Sequence, residues 1–177
     1  RDANEAFGVF GTYRAGASWS SSRGTHVRAS VGTAFREPTF LENFSTGFVV
    51  GNRNLEPERS ATWEAGIRQS LWSDRLTVGL THFDQRFRKM IDYTGATTAC
   101  GASFCNVARA TAKGRELEAR VAPGYGLVFD ANSTHLETKV LEPGDTASGS
   151  LYRAGESLIR RPTTSWNVGV AFSRSRG

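Results

Sequence analysis

Apolar residues recur at every second position over about seven stretches of the chain, with charged residues, Ser, Thr or Gly between them. That period places alternate side chains on opposite faces of an extended chain and predicts β-strands with one apolar face. The first strand runs from about Phe7 to Trp19, with Val9, Tyr13, Ala15 and Ala17 on the apolar side and Thr12, Arg14, Gly16 and Ser18 on the other. The second, about Thr25 to Arg36, sets Val27, Ala29, Val31 and Phe35 against Arg28, Ser30 and Gly32. The third, about Arg59 to Trp72, sets Trp63, Ala65, Ile67 and Leu71 against Glu64, Gly66, Arg68 and Ser70, with Gln69 and Trp72 breaking the parity. The fourth opens with Leu76, Val78 and Leu80 and then changes phase at Phe83, Phe87 and Ile91, as a bulge or a strand leaving its apolar layer would produce. The fifth spans about Val107 to Ala122, the sixth starts at Leu127, and the seventh ends in Trp166, Val168, Val170 and Phe172.

The gaps between these strands alternate in length. Short turns lie at Ser20–Gly24, Ser73–Arg75 and Pro123–Gly126; long connections follow Arg36, span Thr94–Asn106 and span about Leu141–Ser157. Hairpin loops are mostly two to five residues, so the long ones call for a job. In an up-and-down antiparallel sheet every short turn falls at one end and every long loop at the other. The expected fold is therefore all-β, an antiparallel up-and-down transmembrane β-barrel of the bacterial outer membrane, with apolar residues outward and polar residues inward. Trp72, Tyr125, Phe129 and Phe172 near the short turns, and Phe35, Trp63 and Tyr93 near the loops, suit its two aromatic girdles. Phe7 and Trp19 would bracket the first strand over about 28 Å of height.

The polar faces decide between this and a soluble β-sandwich binding module. Arg14, Arg28, Glu64, Arg68, Glu116 and Glu118 would be buried in a sandwich, whereas a wide lumen leaves them solvated or paired. Net charge is +5, from nineteen Arg and three Lys against seventeen acidic residues. The basic residues are dispersed along the sequence, Arg160-Arg161 being the one adjacent arginine pair, so no nucleic-acid-binding stripe is read. Such dispersed Arg suits a polar lumen, or loops facing anionic lipid headgroups. The chain begins at Arg1 in charged sequence and stops at Gly177 directly after a strand, so a fragment of a larger protein is expected.

Cys100 and Cys105 are spaced C-x4-C with no second pair to complete a zinc site, which favours a loop disulfide in an oxidising compartment over two free thiols. No catalytic constellation is present: His26, His82 and His135 are isolated, and Glu116 with Glu118 reads better as lumen charge than as a glycosidase pair. No enzyme activity, metal or cofactor is expected. The first long loop carries the candidate ligand-binding residues Arg36, Phe40, Phe44, Phe48 and Arg53, since aromatic faces stack and guanidinium groups capture carboxylate or phosphate.

VRASVGTAFREPTFLENF followed by GNRNLEPERSATWEAGI resembles the barrel signature of TonB-dependent outer-membrane receptors. MIDY at Met90–Tyr93, NVARATAKGRELEA at Asn106–Ala119 and LIRRP at Leu158–Pro162 fit the same family. Arg53 stands where Pro is common, and Arg115 where a small apolar residue is usual. MIDY, the cysteine-bearing loop and LIRRP are similar to the vitamin B12 receptor branch; siderophore receptors share most of these motifs. The resemblance implies that residues 1–177 are part of a barrel of roughly 22 strands, without its plug and remaining strands. It further implies high-affinity, TonB-powered uptake of a ferric siderophore or other metal chelate, or of cobalamin. Its implied partners are TonB, outer-membrane lipid, lipopolysaccharide and that ligand. A passive porin is the alternative within the outer membrane.

Overall fold

A computed structural model of the chain describes residues 2–4, 8–93, 100–143 and 153–173. Strands β1 (Asp2–Asn4) and β2 (Gly8–Phe10) form a separate antiparallel pair. Seven further strands form one antiparallel sheet in chain order: β3 (Arg14–Ser20), β4 (Thr25–Arg36), β5 (Glu58–Leu71), β6 (Leu76–Tyr93), β7 (Phe104–Gly124), β8 (Leu127–Glu142) and β9 (Thr164–Phe172). The sheet is open, with β3 and β9 at its edges. One short helix, α1 (Phe40–Phe44), sits in the first long loop.

The expected first strand is corrected. It divides between β2 and β3: the regular ladder with β4 runs from Arg14, and ahead of it only Tyr13 reaches β4, its carbonyl accepting the Thr33 N–H at 2.9 Å. No single strand runs from Phe7 to Trp19, and Phe7 lies outside the described residues. The other strands fall where the alternation puts them.

Register carries the alternation across the whole sheet. Val27 is opposite Ile67, Ile67 opposite Leu80 and Leu80 opposite Leu117, so one face is apolar over four consecutive strands. That face is the exposed one: Ile67 is 47% accessible, Leu117 56% and Val168 65%. In water such a surface would be an aggregation liability; against hydrocarbon it is the natural outer wall. On β5 it extends from Trp63 to Leu71, about nine residues, close to the 9–11 that cross a bilayer when tilted. Trp19, Trp72 and Tyr125 are exposed at the short-turn end.

The opposite face is polar and concave. It encloses a trough of about 910 Å³ lined by Arg28, Arg68, Glu116, Glu118, Arg120 and neighbouring Ser and Thr residues. Arg68 lies 3.9 Å from Glu118, and Arg120 donates to Asp130 at 2.8 Å.

The turns explain the two breaks in parity on β5. Trp72, Ser73 and Asp74 adopt φ of 53°, 54° and 66°, a left-handed run that forms the turn itself. Gln69 stays on the outer face but is spent on the turn, where its amide accepts from Thr25 Oγ1 and donates to the Arg23 carbonyl. Tyr125 (φ 56°) and Gly126 (φ 76°) close the next hairpin with positive φ at both central positions, the geometry that matches strand twist.

The phase change on β6 is the strand leaving its apolar layer. Register is unbroken from Leu76 to Arg88, so Phe83 and Phe87 face inward while the outer face passes from Leu80 to Asp84, Arg86 and Arg88. Lys89 (φ 54°) then interrupts the pairing between Arg88 and Met90, and the same register resumes from Met90 to Tyr93. Phe83 lies across Gly114, where an added Cβ would come within 2.3 Å of the ring.

Inward and outward positions therefore respond oppositely to charge. Ile67→Arg in the whole protein, refolded into lipid vesicles, is expected to lose about 2–4 kcal/mol of unfolding free energy in urea titration. Arg68→Ile, one residue along on the trough side, is expected to change it by less than about 1 kcal/mol, because its ion pair is long and exposed.

Candidate functional site

Arg36, the last residue of β4, sits directly opposite Glu58, the first of β5. Its Nε donates to Glu58 Oε1 at 2.9 Å and its Nη2 to Oε2 at 3.2 Å, a bidentate pair. Nη1 donates to both oxygens of Glu42 at 3.0 Å. One guanidinium thus ties the mouth of the loop to its helix. Glu58 Oε2 also accepts the Ile91 N–H at 2.9 Å, which brings β6 into the same clip.

Glu42 is the third residue of α1, and α1 starts with a capping box. Thr39 Oγ1 accepts the Glu42 N–H, and Glu42 Oε2 accepts the Thr39 N–H at 2.7 Å. Helices this short do not hold by propensity. The cap and Arg36 hold this one. Burial alone would raise the Glu42 carboxyl, but the Thr39 N–H and the Arg36 guanidinium outweigh it and keep the group below its ordinary value.

The returning half of the loop, GNRNLEPE, packs on the helix and then on the cysteine loop. The Gly51 N–H donates to the Ser45 carbonyl and the Asn52 N–H to the Glu42 carbonyl, each at 2.8 Å. A Cβ on Gly51 would stand 2.7 Å from the backbone of Asn43 and Phe44, so only glycine permits this approach. Asn52 Nδ2 donates to the Phe104 carbonyl at 3.1 Å. Val50 and the buried Ser103 exchange two hydrogen bonds, at 2.8 and 3.0 Å. Asn106 accepts the Glu56 N–H and donates to the carbonyls of Glu56 and Lys89, and Lys89 also pairs with the Glu56 carboxylate. Cys100 and Cys105 are joined in a disulfide beside these contacts.

Of the five candidate ligand-binding residues, Arg36 is built into the clip. Phe40, Phe44 and Arg53 come together: the two rings are 5.1 Å apart and the Arg53 guanidinium lies 5.3 Å from the Phe44 centroid. Phe40 is 80% exposed and Phe48 97%. This leaves aromatic surface in water on a loop whose backbone is hydrogen-bonded from both sides.

The third loop supplies what the sequence did not flag. Leu158 and Ile159 of LIRRP pack with Met90, Ala110, Val140 and Phe87 into a small apolar core beneath the loops. Arg160 lies 5.4 Å over the Tyr93 ring, whose edge meets Phe104 at 5.6 Å. The signal was present in MIDY and LIRRP as motifs, but nothing in either stretch alone indicates that one packs on the other.

The sequence model of the family described as TonB dependent receptor-like, beta-barrel, matches residues 1–176. The chain belongs to this family. Among solved structures it is similar to the siderophore receptor PirA from Pseudomonas aeruginosa, at 24% identity over 76% of this chain and 26% of that one, with a TM-score of 0.62. It is also similar to the siderophore receptor PiuA from Acinetobacter baumannii (16% identity, 91% of this chain and 23% of that one, TM-score 0.66). A third is the copper transporter OprC (19%, 93% and 24%, 0.65). The chain spans about a quarter of the length of these receptors, and at such identities the likeness concerns the fold. In this family setting the open seven-stranded sheet is a sector of a receptor barrel.

Two outcomes check the clip in the full-length receptor. Arg36→Ala is expected to speed amide hydrogen exchange at Asn43, Ser45, Gly51 and Asn52 by about tenfold, equivalent to about 1–2 kcal/mol of local stability, while Arg53→Ala leaves those amides unchanged. Because the folded Glu42 carboxyl lies below its ordinary value, its contribution is present above the unfolded carboxylate pKa and is lost as pH falls through the folded one. The same amides should therefore lose protection on acidification below about pH 4, and Glu42→Gln should remove that pH step.

Proposed function

We propose that the chain is part of the wall of an energy-coupled importer of the bacterial outer membrane, and that the receptor takes up a metal chelate of the ferric-siderophore class. Family membership supports the barrel, and the siderophore receptors among its structural neighbours make that cargo class the first to test. The observation that carries the ligand reading is the exposed cluster of Phe40, Phe44 and Arg53, with Phe48 also exposed, on a loop clipped at both ends. Exposed aromatics lose apolar hydration on contact with flat catechol or heteroaromatic arms, and Arg53 adds a charge for the anionic chelate. Ordering the loop beforehand reduces the entropy lost on capture. TonB would act through a plug region outside this chain.

The receptor purified from outer membranes should show saturable quenching of tryptophan fluorescence by a ferric chelate. Phe48→Ala and Arg53→Ala are each expected to weaken that binding about 2–10-fold. Saturable binding of cobalamin with no response to ferric chelates would overturn the cargo class. Binding that neither substitution affects would remove the loop from the site.

A further inference from the structure

The connection between β6 and β7 returns to the sheet through a closed ring. The Cys100–Cys105 disulfide encloses Gly101, Ala102, Ser103 and Phe104. Gly101 takes a φ of 74°, which glycine adopts without strain. Ala102 and Cys105 are buried, and Ser103 is fully so. Two ties join this ring to the returning half of the first long loop. The Ser103 N–H donates to the Val50 carbonyl at 2.8 Å, and Ser103 Oγ accepts the Val50 N–H at 3.0 Å. Asn52 Nδ2 donates to the Phe104 carbonyl at 3.1 Å and lies 3.5 Å from Cys100 Sγ. One side-chain amide therefore meets both the backbone that the disulfide positions and the disulfide sulfur itself.

The ties continue to the aromatic surface. The Asn52 N–H donates to the Glu42 carbonyl of α1 at 2.8 Å, and α1 carries Phe40 and Phe44. Arg53, the next residue, holds its guanidinium 5.3 Å from the Phe44 centroid. The Arg36–Glu58 clip fixes the two ends of the loop, whereas the ring fixes its middle, at residues 50–52. Opening the disulfide returns backbone freedom to the residues it encloses. The bonds to Val50 and Asn52 would then have to be made by a free turn, and the order they impose on α1 and Arg53 would fall with them.

We infer that the Cys100–Cys105 disulfide is a redox-sensitive latch on the first long loop: oxidised, it holds residues 50–52 and α1 in the arrangement that captures ligand; reduced, it releases them. Its effect on capture rests on the ligand reading of that loop proposed above; its effect on loop order does not. The reductant is a small dithiol. Cys100 is half-buried and Cys105 buried, so the incoming thiolate attacks Cys100 Sγ. The S–S bond breaks, Cys105 leaves as a thiolate and takes a proton, and a mixed disulfide forms at Cys100. The second thiol of the reductant then displaces Cys100. The dithiol ends as a cyclic disulfide and both cysteines as thiols, with two electrons and two protons transferred. An oxidising exterior keeps the latch shut, and a loop ordered in advance loses less entropy on capture.

The test uses the full-length receptor in detergent, before and after dithiothreitol, with amide hydrogen exchange and binding of a ferric tris-catecholate as readouts. Reduction should speed exchange at Val50, Asn52 and Ser103 about tenfold, leave Ile67 and Leu117 unchanged, and weaken chelate binding about 3–10-fold. Re-oxidation with oxidised glutathione should restore both, and both should titrate together with the ratio of dithiol to cyclic disulfide. Cys100→Ser with Cys105→Ser should sit at the reduced level and ignore the dithiol. Heat-modifiable gel migration confirms that this variant is folded; should it not fold, the reduced native receptor carries the test, with thiol alkylation and mass mapping of Cys100 and Cys105 identifying the bond that opened. Unchanged exchange on reduction, equal affinity in the two states, or a dithiol response that persists in the double variant would overturn the latch. Faster exchange at the three amides with no chelate binding in either state would support the latch and overturn the cargo instead.

Discussion

Everything in this sheet depends on one constraint: each backbone N–H and C=O must find a partner while the apolar side chains face outward. Antiparallel pairing in unbroken register, Val27 to Ile67 to Leu80 to Leu117, satisfies both conditions together. A slip of one residue on any strand would turn a row of Arg and Glu onto lipid and a row of Leu and Val into the trough. The register is thus fixed by two penalties that act in the same direction. The short turns with positive φ at Trp72–Asp74 and Tyr125–Gly126 hold it from one end. At the other end the strands run well past the apolar band: β6 has 18 residues and β7 has 21. That excess length is where the protein has room for chemistry.

The excess is used differently on its two faces. Inward, Phe87, Ala110 and Val140 meet Leu158 to form a core that supports the loops from below. Outward, Arg86, Arg88, Arg109 and Lys139 form a charged groove. Phe87 stands between two arginines of its own strand, so one stretch of β6 serves a packing role and a charged role without conflict. The left-handed Lys89 then interrupts the ladder without shifting its register; the Lys89 carbonyl accepts from Asn106, and the Ile91 N–H donates to Glu58. Strand, clip and loop are joined at that irregularity.

The strand pattern was legible because alternation and the short-long sequence of gaps are local signals. Six of the seven sheet strands fall where they were read, and the early part of the first failed because the ladder with β4 is reached only at Tyr13 and Arg14. Phe83 and Phe87 were legible as a change of phase, though not as the point where the outer face becomes charged. Arg36 shows a harder limit. A guanidinium at the mouth of an aromatic loop is chemically fit for a ligand, and only its bonds to Glu42 and Glu58 reveal that it is occupied. Those partners are six and 22 residues away, and no periodicity links them.

The basic residues carry the same lesson in the opposite direction. Read along the chain most are separated from one another, Arg88-Lys89 and Arg160-Arg161 being the adjacent pairs, and nothing in that spacing shows how they gather in the sheet. Antiparallel pairing brings Arg59, Arg88 and Arg109 to neighbouring positions despite the long connections that separate them. In a meandering sheet, charge clustering is a property of register rather than of sequence distance. A composition scan therefore underestimates it most in proteins with long strands and long loops. The relevant test is the sum of charge across each row of paired residues, and in this protein that sum changes sign of character abruptly, from aliphatic at Leu80 and Leu117 to cationic within a few residues. A wall that turns from apolar to cationic along its strands follows the change of polarity from hydrocarbon to water beside it, so the register that hides Leu80 and Leu117 from water also puts the charged rows where water can reach them.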